Sequence, residues 1–214
     1  MSKVILYHGS PNEIVDPVFG LGNPRHDYGK GFYLTEDLKL AKEWAVSRPE
    51  TVSGFVHTFE IETDGLDIFD FQDKNILCWL AELMKHRDAA DSKRYRVLAQ
   101  KFIAKYGNNT EKCDVIKGWR ADASYFYIAK AFVRDEVDVD ILEDLLQLGS
   151  LGIQWCLKSE KSFNAITKID GIITVDYHEF NRKYNDRDAQ ARITMKKLID
   201  SDKNRVEKVF STLV

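Results

Sequence analysis

An apolar run, Val4-Ile5-Leu6-Tyr7, ends on His8 and Gly9, with Ser10 and Pro11 behind them. An imidazole beside a glycine at the end of a buried strand can build a ligand site. The ring offers a hydrogen bond at neutral charge, and the glycine lets a ligand approach the backbone closely. Taken singly, the same residues read as a histidine satisfying a local backbone group and a turn that follows it. A second cluster follows after a long loop: Tyr28, then Gly29-Lys30-Gly31, then Phe32-Tyr33-Leu34. The turn lacks the Lys-Ser/Thr ending of a phosphate loop and the spacing of a dinucleotide fingerprint. In a strand, Phe32 and Leu34 share one face and Tyr33 takes the other, so Tyr33 is free to line a cleft if the apolar pair faces the core. Trp44 lies one turn of helix away from that rim, where packing in the core is the plainer reading.

Further along, several polar residues stand near the starts of candidate elements. Gln154 opens a candidate strand at 153–157. Arg120 stands in Gly118-Trp119-Arg120-Ala121-Asp122, and a guanidinium fork suits phosphate oxygens. Asp122 would hold that arginine or cap the next helix. Glu160 follows Ser159 and reads as a first-turn acid of a helix that Ser159 caps. Asp114 and Glu143 are weaker candidates for an acidic role.

The elements that must position these residues follow from periodicity. Residues 3–8 read as a buried strand and 9–29 as a loop rich in Gly, Pro, Asn and Asp; a loop of that length usually carries function. Residues 31–35 resume a short strand. Thr35 then caps a helix over about 36–48, with Glu36 and Asp37 in its first turn and Leu38, Ala41, Trp44 and Ala45 on one face. Residues 55–61 alternate as a half-buried strand. A strand at 66–69, helices over 74–88 and 93–106, a short strand at 115–116, helices over 123–134 and 138–147, and strands at 153–157 and 171–175 follow. Beyond about 180 the chain is charged and mostly helical. Strands at both ends with helices between them define an α+β chain. No linker interrupts it, so one domain over 1–214 is expected, with 176–214 as a helical tail.

The bulk numbers bound the class. The chain has 214 residues, 44% of them hydrophobic and 12% aromatic, enough for a packed core. A net charge of -3 does not indicate a broad electrostatic grip on nucleic acid and leaves room for a local basic patch. The 3 cysteines, Cys78, Cys113 and Cys156, lack metal-ligand or redox spacing and read as reduced thiols. The amino-terminal run is too short for a signal peptide, and no apolar run reaches bilayer length. A cytoplasmic protein without a membrane partner is expected.

Together, the blocks are more specific than their parts. The combination "LYHGS" with "YGKGFYLT" closely resembles the ADP-ribosyltransferase superfamily, in the branch of diphtheria toxin and the poly(ADP-ribose) polymerases. It is also similar to an uncharacterised bacterial family assigned to that fold. The resemblance is strong over 4–48 and moderate around 114–127 and 151–163. It implies a split β-sheet core with helical insertions, and NAD⁺ as co-substrate with no metal. It implies that His8 and Tyr33 line one dinucleotide cleft and that Gln154 takes the third motif position, where the polymerases have glutamate.

On that resemblance, Gly9 would meet the carboxamide and Tyr33, with Tyr28 or Trp44, would stack on nicotinamide. His8, assisted by Ser10, would bond the adenosine ribose, and Arg120 the diphosphate. Gln154 would orient the other ribose without supplying charge. That favours transfer of a single ADP-ribose unit, or slow NAD⁺ hydrolysis, and leaves room for another acid. The acceptor would be a protein or nucleic acid, and by analogy an antitoxin would be a partner. Two alternatives stand beside this enzyme: a non-catalytic NAD⁺ or ADP-ribose module, and an interaction protein whose surface is the tail with Arg182, Lys183, Arg187, Arg192, Lys196 and Lys197.

Overall fold

The computed structural model describes residues 2–13, 15–47, 53–87, 92–121, 123–147, 152–202 and 208–214. Among these residues, seven strands, β1 (Lys3–Ser10), β2 (Phe32–Thr35), β3 (Ser53–Glu62), β4 (Ile68–Asp70), β5 (Val115–Trp119), β6 (Ile153–Leu157) and β7 (Ile166–Asp176), form one mixed sheet. Their order is β4-β5-β6-β2-β1-β3-β7, with only β4 and β5 parallel. The helices are α1 (Leu38–Ala45), α2 (Ile76–His86), α3 (Lys93–Tyr106), α4 (Ala123–Val133), α5 (Val139–Gln147), α6 (Glu160–Asn164) and α7 (Tyr177–Asp202). The α+β class expected from the sequence is the class observed.

Strand pairing is uneven across the sheet. β1 and β3 share eight registered pairs, from Lys3↔Glu62 to Ser10↔Phe55. β3 and β7 share nine, and β2 and β6 share four. The joint between β1 and β2 has a single registered pair, Tyr7↔Thr35. Beyond it the two strands part, and Gly9 and Ser10 have no registered partner on β2.

The two faces follow from the period of two. On one face Leu6, Leu34, Phe59, Ile61, Trp155 and Leu157 pack together, with Phe32 and Phe163 against them. On the other, Val56 and Val175 meet Ala41, Ala45 and Val46 of the α1 segment, with Tyr7 beside them. The largest core lies on that same side of β5 and β6, where Ile116 and Cys156 meet α2 to α5. α1 packs so tightly on β1 that a Cβ on Gly9 would sit 1.9 Å from the carbonyl oxygen of Ala41.

Several local expectations change. Asp37, not Thr35, caps α1: its carboxylate accepts from the Lys39 and Leu40 amides, so neither Glu36 nor Asp37 lies in the helical first turn. Thr35 instead donates to the Ile153 carbonyl at 2.9 Å, tying β2 to β6. Ser159 does cap α6, in a reciprocal pair with Ser162. β7 starts at Ile166, five residues before the expected 171. β3 supplies the partner edge for that extra length, a tertiary cause that local pattern does not carry.

α7 is charged but is not all surface. Arg187 forms a half-buried ion pair with Glu43 of α1 at 2.5 Å. Asn181 donates to the Val46 carbonyl at 3.1 Å. Lys183 pairs with Glu179, and Arg192 with Asp188, along the helix itself. The basic tail surface is thereby reduced, because Arg187 serves α1 and two other cations have intrahelical acids. No described helix is long and apolar enough to cross a membrane.

Candidate functional site

A cavity of about 320 Å³ opens where the β2–β6 half of the sheet meets the end of α1. Its walls carry Tyr33, Trp44, Arg120 and Gln154, four residues that the sequence singles out. Arg25, His26, Asp27, Ser47, Arg87 and Ala121 complete it. The volume is at the lower end for small-molecule sites, enough for one aromatic ring with a sugar or phosphate attached.

Each wall has a structural cause. Tyr33 is on the helical face of β2, opposite Cys156 of β6, because Phe32 and Leu34 turn to the other core. Its hydroxyl donates to the Gly29 carbonyl at 2.7 Å and accepts from the Tyr28 amide at 3.0 Å. The Gly29 turn is thus clasped by the residue it precedes. Gly29 itself has φ 74°, a conformation that favours glycine. Burial raises the Tyr33 phenol well above its ordinary range, so the ring is a neutral platform. The edge of His26 meets it at 5.2 Å between centroids.

Trp44 projects from α1, and the Arg120 guanidinium lies over its ring at 4.8 Å. Such a contact fixes a cation beside an aromatic wall. Among the described residues no acceptor reaches the buried indole nitrogen of Trp44.

Asp27 is the centre of the polar side. It is buried, at 7% exposure, in a loop that the sequence reads only as a loop. One carboxylate oxygen accepts from Arg87 at 2.8 Å. The other accepts from the Ala121 amide at 2.8 Å and from the Gln154 side-chain nitrogen at 2.9 Å. Gln154 also donates to the Trp119 carbonyl, and Arg87 to the Ala121 carbonyl. Arg87 stacks on Phe126 at 4.1 Å. One carboxylate therefore joins the loop before β2, the end of α2, the β5–α4 connection and β6. Among the described residues, three arginines and one acid line the cavity, an electrostatic balance suited to an anionic ligand.

The remaining sequence candidates lie elsewhere. His8 is not among the residues that line the cavity of Tyr33. Tyr7↔Thr35 and Thr35↔Gln154 are registered pairs, so these side chains share the Tyr33 face. His8, one residue on, turns to the opposite face, where its ring stacks on Phe32 at 4.5 Å. Its Nδ1 donates to the Tyr33 carbonyl at 2.7 Å, across the place where β1 and β2 part. Burial lowers its pKa to about 4, outweighing the Tyr33 bond that opposes the shift, and the neighbouring His57 adds a smaller lowering. The ring is a neutral pin on the back of the cavity wall. His57 is its cross-strand partner and is itself fully buried.

Ser10 is buried on the His8 face and accepts from the Asn12 amide at 3.0 Å, a turn contact. Gly9 lies beneath α1, whose Ala41 and Ala45 backbone leaves no room for a ligand on its Cα. Tyr28 is fully buried; its hydroxyl donates to the Trp119 carbonyl at 2.6 Å and its ring stacks on Phe71 at 5.7 Å. It supports the cavity floor and cannot stack on a ligand from there. Glu160 is exposed in the first turn of α6. Asp114 accepts from Ser159 and from the Asp67 amide, fastening α6 to β4 and β5. Asp122 and the side chain of Glu143 lie outside the described residues. Among those described, no group of His, Cys, Asp and Glu is placed to hold a metal ion.

Sequence reasoning missed Asp27, Arg87, Arg25 and His26. Asp27 had one usable signal, its place in the block His26-Asp27-Tyr28-Gly29 directly before the recognised turn. Arg87 had none, because a basic residue after a helix reads as a favourable C-terminal charge.

The architecture and cavity define an α+β protein with a polar, arginine-lined site beside its mixed sheet. Residues 4–167 match the family DUF3990, described as proteins of unknown function, and the chain belongs to that family. No curated protein and no solved structure matches the chain.

Proposed function

We propose that this cavity binds the nicotinamide end of NAD⁺ and that the protein is a mono-ADP-ribosyltransferase acting on a protein or nucleic-acid acceptor. The observation that carries the reading is the convergence of Tyr33, Trp44, Arg120 and Gln154 on one cavity, four residues far apart in sequence that the resemblance selects together. The single registered pair between β1 and β2 supports the split-sheet core of that superfamily. Tyr33 and Trp44 offer aromatic surface to a flat ring. Arg25 and Arg120 offer charge to a diphosphate. Gln154, oriented by Asp27, offers a fixed amide to the ribose. His8 acts in this scheme through the Tyr33 backbone, because its ring is turned to the other face.

The chemistry needed is loss of nicotinamide through a cation-like transition state, for which the site must orient the leaving group and oppose the growing charge. The protein would work in the cytoplasm with a partner that restrains it. A second reading, a non-catalytic NAD⁺ or ADP-ribose module, is favoured by one observation: both amide donors of neutral Gln154 are already engaged, by Asp27 and the Trp119 carbonyl. Incubation with NAD⁺, followed by chromatography for free nicotinamide and mass spectrometry of added cell lysate, separates the two. Nicotinamide release with a modified macromolecule supports transfer. Calorimetric binding without release selects the module, and absence of both overturns the NAD⁺ reading.

A further inference from the structure

Gln154 stands where the transfer reading needs a carboxylate, and it brings no charge. Asp27 is the only acid among the described residues lining the cavity, and one of its oxygens lies 2.9 Å from the Gln154 amide nitrogen. An ionised carboxylate offers about four lone-pair sites. Arg87, the Ala121 amide and Gln154 fill three. We propose that Asp27 is the carboxylate of the reaction centre, that its remaining site accepts a hydrogen bond from the nicotinamide ribose, and that Gln154 and Arg87 aim it. This rests on the NAD⁺ reading and deepens it: the acid is displaced from the β6 position to the loop before β2, and the glutamine is its partner.

The geometry gives the carboxylate a fixed direction. Arg87 is itself held by the Ala121 carbonyl at 2.7 Å and by Phe126, so it draws on Asp27 from one side only. Preorganised charge of this kind acts without reorganising during the reaction. In the step, the bond between ribose C1′ and the pyridinium nitrogen breaks. Its electron pair passes to that nitrogen, and nicotinamide leaves neutral. Positive charge remains over C1′ and the ring oxygen, facing Asp27. Water, or a hydroxyl or amine of the acceptor, adds at C1′ and releases its proton to solvent. Asp27 forms no bond to carbon and takes no proton.

The test uses the full chain, NAD⁺ and quantified nicotinamide. Asp27→Asn keeps the volume and removes the charge; kcat for release should fall about a hundredfold with KM nearly unchanged. The exchange Asp27→Asn with Gln154→Glu returns a carboxylate to the pair and should recover roughly tenfold of that loss, which a packing role for Asp27 would not produce. If Asp27→Asn does not fold, Gln154→Ala leaves the acid but removes its guide, and kcat should fall roughly tenfold with KM unchanged. Wild-type release with an unaffected Asn variant, or an exchange variant no better than the single one, overturns this inference alone. A wild-type protein that releases no nicotinamide overturns the transfer reading and this inference with it.

Discussion

Acid should loosen this protein through His8 before it reaches the carboxylates. The ring is neutral in the fold, with a pKa lowered from 6.5 to about 4 by burial. Its Nδ1 must carry the proton, because it faces the Tyr33 carbonyl, so acid would have to charge the other nitrogen inside the core. The sign follows directly. Below pH 6.5 the unfolded chain binds a proton that the folded chain refuses, so the stability is fully present above 6.5 and drains away as pH falls toward 4. A difference of roughly 2.5 pKa units at about 1.4 kcal/mol each gives a loss of about 3 kcal/mol across that window. His57, whose pKa is also lowered by burial, adds a loss of the same sign. Glu82 does not interfere. Burial alone would raise its pKa, but the bonds from His86, Lys85 and Thr110 outweigh that and hold it at about 2 against an ordinary 4.5. Its contribution is present above 4.5 and fades only as pH falls toward 2. Urea unfolding of wild type and His8→Asn, at several pH values between about 7.5 and 4.5, isolates the effect. Asparagine can still donate to the Tyr33 carbonyl but does not titrate. The wild type should lose about 2–3 kcal/mol more than the variant across the range. Parallel slopes for the two proteins would refute the argument.

Gly9→Ala places a methyl 1.9 Å from the Ala41 carbonyl oxygen and 2.8 Å from the Ala45 amide. α1 must shift, and a loss of about 1–3 kcal/mol should appear as a lowered Tm; an unchanged Tm would remove Gly9 from the packing account. Trp44→Ala removes an aromatic wall and the support of Arg120 and should weaken NAD⁺ binding at least tenfold by calorimetry, with little change in Tm because Trp44 is only half-buried. Glu82→Gln keeps one oxygen for His86 and Thr110 but removes the charge and turns an amide nitrogen toward the Lys85 ammonium. Chemical unfolding should show a loss of about 3 kcal/mol, and a value near zero would mean that the cluster is solvated.

How much was legible depended on whether the information was local. The alternation Phe32-Tyr33-Leu34 placed Tyr33 on the face away from the Phe32 core, where it stands. Ser159 was readable as a cap because its partner lies three residues away. The His8 ring was not. Its orientation depends on which residue of β2 it faces, and one step in register reverses every side chain. The sequence holds the strand but not the single Tyr7↔Thr35 pair that sets the phase. Thr35 read as a cap for the same kind of reason: its hydroxyl was taken by the distant Ile153 carbonyl, and Asp37 filled the vacancy. Asp27 and Arg87, separated by sixty positions, form an ion pair that exists only once α2 packs beside the loop.

The Glu43–Arg187 pair has a bearing on how this protein can be divided. The stretch shared with the family ends at 167, inside β7, and already contains every described residue that lines the cavity. α7 lies beyond it, yet through Arg187 and Asn181 it grips the turn of α1 that bears Trp44. A fragment trimmed to the shared stretch would thus keep the whole cast of the site while losing the buttress that keeps its tryptophan wall upright.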